Sequence, residues 1–223
     1  MSKKNRKTKK RMKAGSKILI CLIIVLLIVG GYFVYNKFFK VKTASAPKVV
    51  DEIKNFNYVV NENDTKLFKT NFNELKKVLS KKEVDNKKYA EAISKLFVID
   101  FFTLDNKSSK NDVGGVQFVY TSYKADFIDY ARDGIYKQVN NAIDNKNGNS
   151  SLPEVTSVKV VSTDTVVPSS VFEHQDFANE NEENAYEIKL EWEYKNGSGF
   201  QDKAVVTVVK DGDKLSIAKM DEE

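Results

Sequence analysis

Eighteen consecutive residues, Ile18 to Tyr35, carry no charge, and nine lysines and arginines with no acid among them stand before this run. At a rise of about 1.5 Å per residue a helix of this length spans roughly 27 Å, close to the hydrocarbon thickness of a bilayer. Lys3, Lys4, Arg6, Lys7, Lys9, Lys10, Arg11, Lys13 and Lys17 set its orientation, because positive flanks stay on the cytoplasmic side. The sequence predicts a basic cytoplasmic tail over 1–17, a single transmembrane helix over 18–35, and everything after Tyr35 outside the cytoplasmic membrane. A cleaved signal peptide fits less well. The only small-residue pattern, Ala44-Ser45-Ala46, lies beyond Lys37, Phe38, Phe39, Lys40 and Lys42. A lipoprotein signal would place its cysteine at the end of the run, whereas Cys21 sits near the start. Cys21 is the single cysteine, so no disulfide forms within the chain and the folded part relies on its core.

The chain's net charge of +5 belongs to the tail. Beyond Lys17, 27 basic residues face 31 acidic ones, a net charge of −4. A basic tail beside a membrane span meets anionic headgroups, and no aromatic residue interleaves it as nucleic-acid binding would require. The lipid bilayer is therefore an expected partner and nucleic acid is not. Arginine occurs only at 6, 11 and 132 while lysine and asparagine are frequent, a usage typical of low-GC Gram-positive bacteria. Residues 36–60, with Pro47 and weak periodicity, read as a stalk. The remaining 61–223, about 160 residues, make one domain large enough to bury a core.

Within that domain the hydrophobic period is first helical. Leu67, Phe68, Phe72, Leu75, Val78 and Leu79 form one stripe of a helix starting at Asp64 or Thr65, either of which caps free N–H groups. A second helix, capped by Asn86, runs to about Leu104, with the stripe Tyr89, Ile93, Leu96, Phe97, Phe101 and Leu104. Val98, Ile99 and Phe102 on its other side mean that it is covered on more than one face. Residues Asn106 to Gly115 are turn-forming, and a third helix is predicted over Thr121 to Ile143 with Tyr123, Phe127, Tyr130, Ala131, Gly134, Ile135, Val139 and Ile143 inward. After Pro153 the period becomes two. Val155–Val167 is β-rich, Tyr186 to Tyr194 alternates with charged residues, and strands at Ala204–Val209 and Leu215–Met220 flank Asp211-Gly212. The class is α+β: a transmembrane helix, then three helices packed on a curved four-stranded antiparallel sheet.

This order of elements resembles the cone-shaped nuclear transport factor 2-like (cystatin-like) fold. Joined to a membrane anchor, it also resembles the inner-membrane assembly factor of type IV secretion systems and its Gram-positive conjugation relatives. Asn63-Asp64-Thr65, Phe97-Val98-Ile99-Asp100-Phe101 and Asn111-Asp112-Val113-Gly114-Gly115 are similar to signatures of an uncharacterised clostridial-type membrane protein family. The resemblance implies an envelope assembly role, with envelope or membrane proteins as partners, and leaves a homo-oligomer open.

Asp100 is the candidate site residue, because a helical wheel puts it inside the apolar stripe. A carboxylate there must find donors or take up a proton. It either accepts N–H groups from the turn Asn111, Asp112, Gly114 and Gly115 and pins it, or serves as an acid, base or ligand group in a pocket. The only histidine, His174, lies in an acidic loop with Glu173, Asp176, Glu180, Glu182 and Glu183. Its spacing matches no calcium or zinc pattern, so the loop reads as solvated and as a contact surface. No nucleophile constellation, metal site or cofactor motif is assembled. The expectation is a non-enzymatic, membrane-anchored interaction or assembly module. The alternative is a ligand-binding or catalytic cone acting on an envelope small molecule through Asp100. A signalling role for the tail ranks last, since seventeen residues leave no room for an output domain.

Overall fold

The computed structural model describes residues 47–144, 152–168, 185–197 and 199–223, which belong to the compact unit Ala46–Glu223. Among these residues no helix is long and apolar enough to cross a membrane, and the predicted span 18–35 lies outside them. The architecture is α+β. Strands β1 (Val49–Ile53) and β2 (Tyr58–Asn61) come first, then helices α1 (Lys66–Leu79), α2 (Asn86–Phe102), α3 (Lys124–Asp133) and α4 (Lys137–Asp144). Strands β3 (Glu154–Val166), β4 (Ala185–Lys195), β5 (Lys203–Asp211) and β6 (Lys214–Glu222) follow. The last four pair in sequence order as one antiparallel sheet.

Both long helices start at side-chain caps. Thr65 Oγ1 accepts the Phe68 N–H at 3.1 Å, and Asp85, one residue before the predicted Asn86, accepts the Lys88 N–H at 3.1 Å. Helix α2 is the centre of the core. Ile93, Leu96, Val98 and Ile99 have no exposure, and Phe97 and Phe102 almost none. It lies against α1 and the inner face of the sheet, where Ile188, Leu190, Val206 and Val208 are equally buried. Trp192 packs at a tilt against Phe102, with ring centroids 4.9 Å apart. The helix ends two residues short of Leu104. Thr103 there turns extended, its hydroxyl takes the Val155 N–H at 3.2 Å, and the Leu104 N–H reaches the Pro153 carbonyl at 2.8 Å.

Two expectations are corrected. The predicted third helix is interrupted at Gly134, where the Tyr136 N–H closes back on the Ala131 carbonyl at 3.0 Å as at a helix C-terminus. Beyond the break Tyr136 lies wholly in the core, and Tyr130, assigned to the inner stripe, is 81% exposed on α3. Residues 49–60, read as stalk, form the β1–β2 hairpin instead, turning at Asn57 in the left-handed region (φ 54°). Strands this short show too little alternation to stand out, yet Tyr58 and Val60 point inward and are buried.

Tyr58 ties the hairpin to both layers. Its hydroxyl lies 2.8 Å from that of Tyr89 on α2 and donates to the Leu215 carbonyl on β6 at 3.1 Å. Burial drives the Tyr58 phenol well above its ordinary range and pushes Tyr89 up to about 12. Replacing Tyr58 by alanine is expected to cost about 3–5 kcal/mol, as for other buried aromatic rings. A loss below about 1 kcal/mol by chemical denaturation, the level of a surface change, would show that the hairpin is not part of the core.

Candidate functional site

The three segments Asn63-Asp64-Thr65, Phe97–Phe101 and Asn111–Gly115 meet at Asp100. Its Oδ2 accepts the Gly115 N–H at 2.7 Å, and its Oδ1 pairs with Lys107 Nζ at 2.6 Å. The pair is nearly enclosed, with side chains 14% and 5% exposed. The helix therefore carries a carboxylate in its apolar face because a lysine seven residues on folds back over it. Lys107 is the residue that sequence reasoning missed. It sits in an irregular loop, and no periodicity signals where its side chain goes.

The turn is fixed from several sides. Gly114 donates its N–H to the Tyr136 hydroxyl at 2.8 Å, and that hydroxyl donates to the Phe101 carbonyl at 2.8 Å. A Cβ on Gly114 would fall 2.2 Å from the Asp100 carbonyl oxygen, so only glycine allows this approach. Gly115 takes φ 76°, a conformation that glycine adopts without strain. Asp112 Oδ2 accepts the Ser108 N–H at 2.9 Å, the Lys110 N–H reaches Asn140 Oδ1 at 2.8 Å, and the Asn111 N–H reaches Ser109 Oγ at 3.2 Å. Asn63 and Asn106 exchange side-chain amide to backbone carbonyl bonds at 3.3 and 3.2 Å. Asp64 joins the node by accepting the Asn61 N–H at 2.7 Å. Burial, reinforced by the nearby Asp100, raises its carboxyl above the ordinary value of 3.8 against that hydrogen bond. The Tyr136 phenol is raised by burial first and by Asp100 second.

Two open grooves lie elsewhere, and Asp100 lines neither. One, of about 360 Å³, runs between α3 and β6 and is lined by Phe97, Val119, Tyr123, Phe127, Tyr130, Ile217 and Met220, with Asp126 and Lys219 also on its wall. Phe97 and Phe127 of its wall form a three-ring cluster with Phe101, with centroids 5.1 to 5.7 Å apart. Tyr130 stands at the groove in solvent, although the sequence pattern placed it on the inner stripe. The other groove, of about 440 Å³, covers the outer face of the sheet between Ser157, Lys159, Glu191, Glu193, Asp202 and Lys203. This includes the outer face of the Tyr186–Tyr194 strand. The acidic loop Glu173, His174, Asp176, Glu180, Glu182 and Glu183 lies outside the described residues. Among those described, no cluster of three or more histidine, cysteine or acidic residues is arranged to hold a metal ion.

No family model, no curated protein and no solved structure matches this chain.

Two outcomes follow from the node's geometry. Asp100→Asn keeps an acceptor for the Gly115 N–H but strands the buried lysine charge, a loss of about 3 kcal/mol. Lys107→Met in the same chain should recover most of it, so a double-mutant cycle in denaturant is expected to show strong coupling. Strictly additive losses would refute the pair's importance. Asp64 behaves oppositely. Its folded carboxyl holds the proton more tightly than the unfolded one, so its share of stability is present below 3.8 and is lost as pH rises through the raised value. Asp64→Asn should therefore be more stable than the parent at neutral pH, with the gap closing in acid. A gap independent of pH would contradict the burial of that charge.

Proposed function

We propose that this chain is a membrane-tethered interaction module, non-enzymatic, whose folded unit stands outside the cytoplasmic membrane and docks another envelope protein. The basic tail and the uncharged run Ile18–Tyr35 support the tether and its orientation. One observation carries the docking role: Tyr130 projects, 81% exposed, at an apolar groove that it lines with Phe127 and Met220. Large exposed aromatic groups beside an apolar groove mark contact sites, because a partner that covers them removes apolar surface from water. Asp100 has a different task. Both of its oxygens are held by Lys107 and Gly115, which makes it the fastening of the 106–115 loop.

The nuclear transport factor 2-like cone and a role in secretion or conjugation assembly belong to the same proposal. Supporting them are the order of elements, helices before a four-stranded meander, and the tether. A photo-crosslinking residue placed at Tyr123 or Tyr130 of the full chain in its own cells should capture the same envelope protein from both positions. With the probe at position 123, Tyr130→Ala should reduce that capture roughly tenfold or more while changing stability by less than about 0.5 kcal/mol. Capture that is unaffected by Tyr130→Ala, or that differs at random between the two positions, would overturn the groove as the docking site.

A further inference from the structure

Strand β3 is the longest strand of the sheet and lies at its margin, paired only with β4 among the described residues. The side of β3 that faces away from β4 follows from the ladder. Trp192 donates its backbone N–H to Asp202, on the β5 side, at 2.8 Å. Backbone groups alternate along a strand together with side chains. Glu191 and Glu193 therefore turn theirs toward β3, where Lys159 and Ser157 answer them. Val158, Val160, Thr163 and Thr165 direct their N–H and C=O groups to the open edge. The near end of that edge is closed, since Thr103 already takes the Val155 N–H. Such an edge is a template for another strand.

We propose that the strand it takes is β3 of a second copy, antiparallel about a two-fold axis between Val161 and Ser162. The charges select this register. Lys159 and Asp164 are both exposed on the outer face, and neither has an ion-pair partner among the described residues. Asp164 instead stands opposite Glu187, a like-charge pairing that a cation would relieve. With the axis between 161 and 162, Lys159 of each copy faces Asp164 of the other. Inward residues face inward ones, Val160 opposite Thr163 and Val158 opposite Thr165. The ladder shift between Val160 and Ser162 puts the extra residue, Val161, at the axis. It therefore preserves the match of faces on both sides. Val161, 42% exposed, becomes covered by Ser162 of the second copy. Shifting the second strand by two residues toward the start of β3 sets both charges against serines. Isologous contacts of this kind close as dimers.

The full chain, purified in detergent micelles and followed by sedimentation over tens of micromolar, is expected to dimerise. Lys159→Glu and Asp164→Lys should each weaken the dimer about tenfold, since every change acts twice across the axis. The combined charge swap should restore it. A Lys159→Cys/Asp164→Cys pair in a Cys21→Ser background should give an oxidised covalent dimer, while either cysteine alone should not. The two positions are too far apart along one strand to join within a copy. A monomer throughout, a dimer indifferent to the charges, or no covalent dimer from the paired cysteines would overturn the proposal. None of these results bears on the groove beside β6, which lies at the opposite margin of the sheet.

Discussion

Helix α2 is apolar around nearly its whole circumference, and the rest of the unit is arranged to keep water from it. A helix with one stripe needs one partner layer. This one needs the sheet beneath Phe102, helix α1 alongside, and a further cover over Phe97 and Phe101. That cover is the irregular chain from 103 to 123, which has no ladder of its own to hold it in place. Loops bury badly because their backbone groups lose water. The polar node at Asp100 resolves the conflict by giving the N–H groups of Gly114 and Gly115 acceptors within the core.

The node also explains how two ionised groups reside in so dry a place. An isolated carboxylate on α2 would be strongly destabilised, and so would an enclosed ammonium. Together they neutralise one another, and the Gly115 N–H supplies a further bond to the acid. Replacing a buried ion pair by apolar residues of the same shape is often neutral or stabilising. What the pair does here is tie the loop to α2 through Lys107 and the Gly115 N–H. Tyr136 adds a neutral strut to the same turn, and Tyr58 does comparable work where the first hairpin meets α2 and β6. In each case a buried aromatic ring supplies the area and one hydroxyl supplies the direction.

With the interior so occupied, the functional reading moves to the surface. The groove beside β6 is apolar and aromatic, whereas the outer face of the sheet is ionic, with Lys159, Glu191 and Lys203 in one cross-strand row. Surfaces of such different chemistry suit different partners. The two proposed contacts, one on each margin of the sheet, would together build an assembly rather than a single complex.

The α+β class, the two long helices and the four-stranded meander were legible in the sequence, because burial of one face imposes a period that the residues must obey. Asp100 stood out for the same reason, as a charge breaking an apolar stripe. The rest was decided by contacts between segments distant in sequence, which no local period encodes. Lys107 reaches Asp100 only because the loop after α2 folds back. Tyr58 is core only because Tyr89 and Leu215 meet it. Tyr136, beyond the break at Gly134, is core because its hydroxyl is held by Gly114 and Phe101. The sequence by itself determined which faces must be covered. Only the tertiary structure decided what covers them, since covering depends on where buried hydrogen-bonding groups find partners.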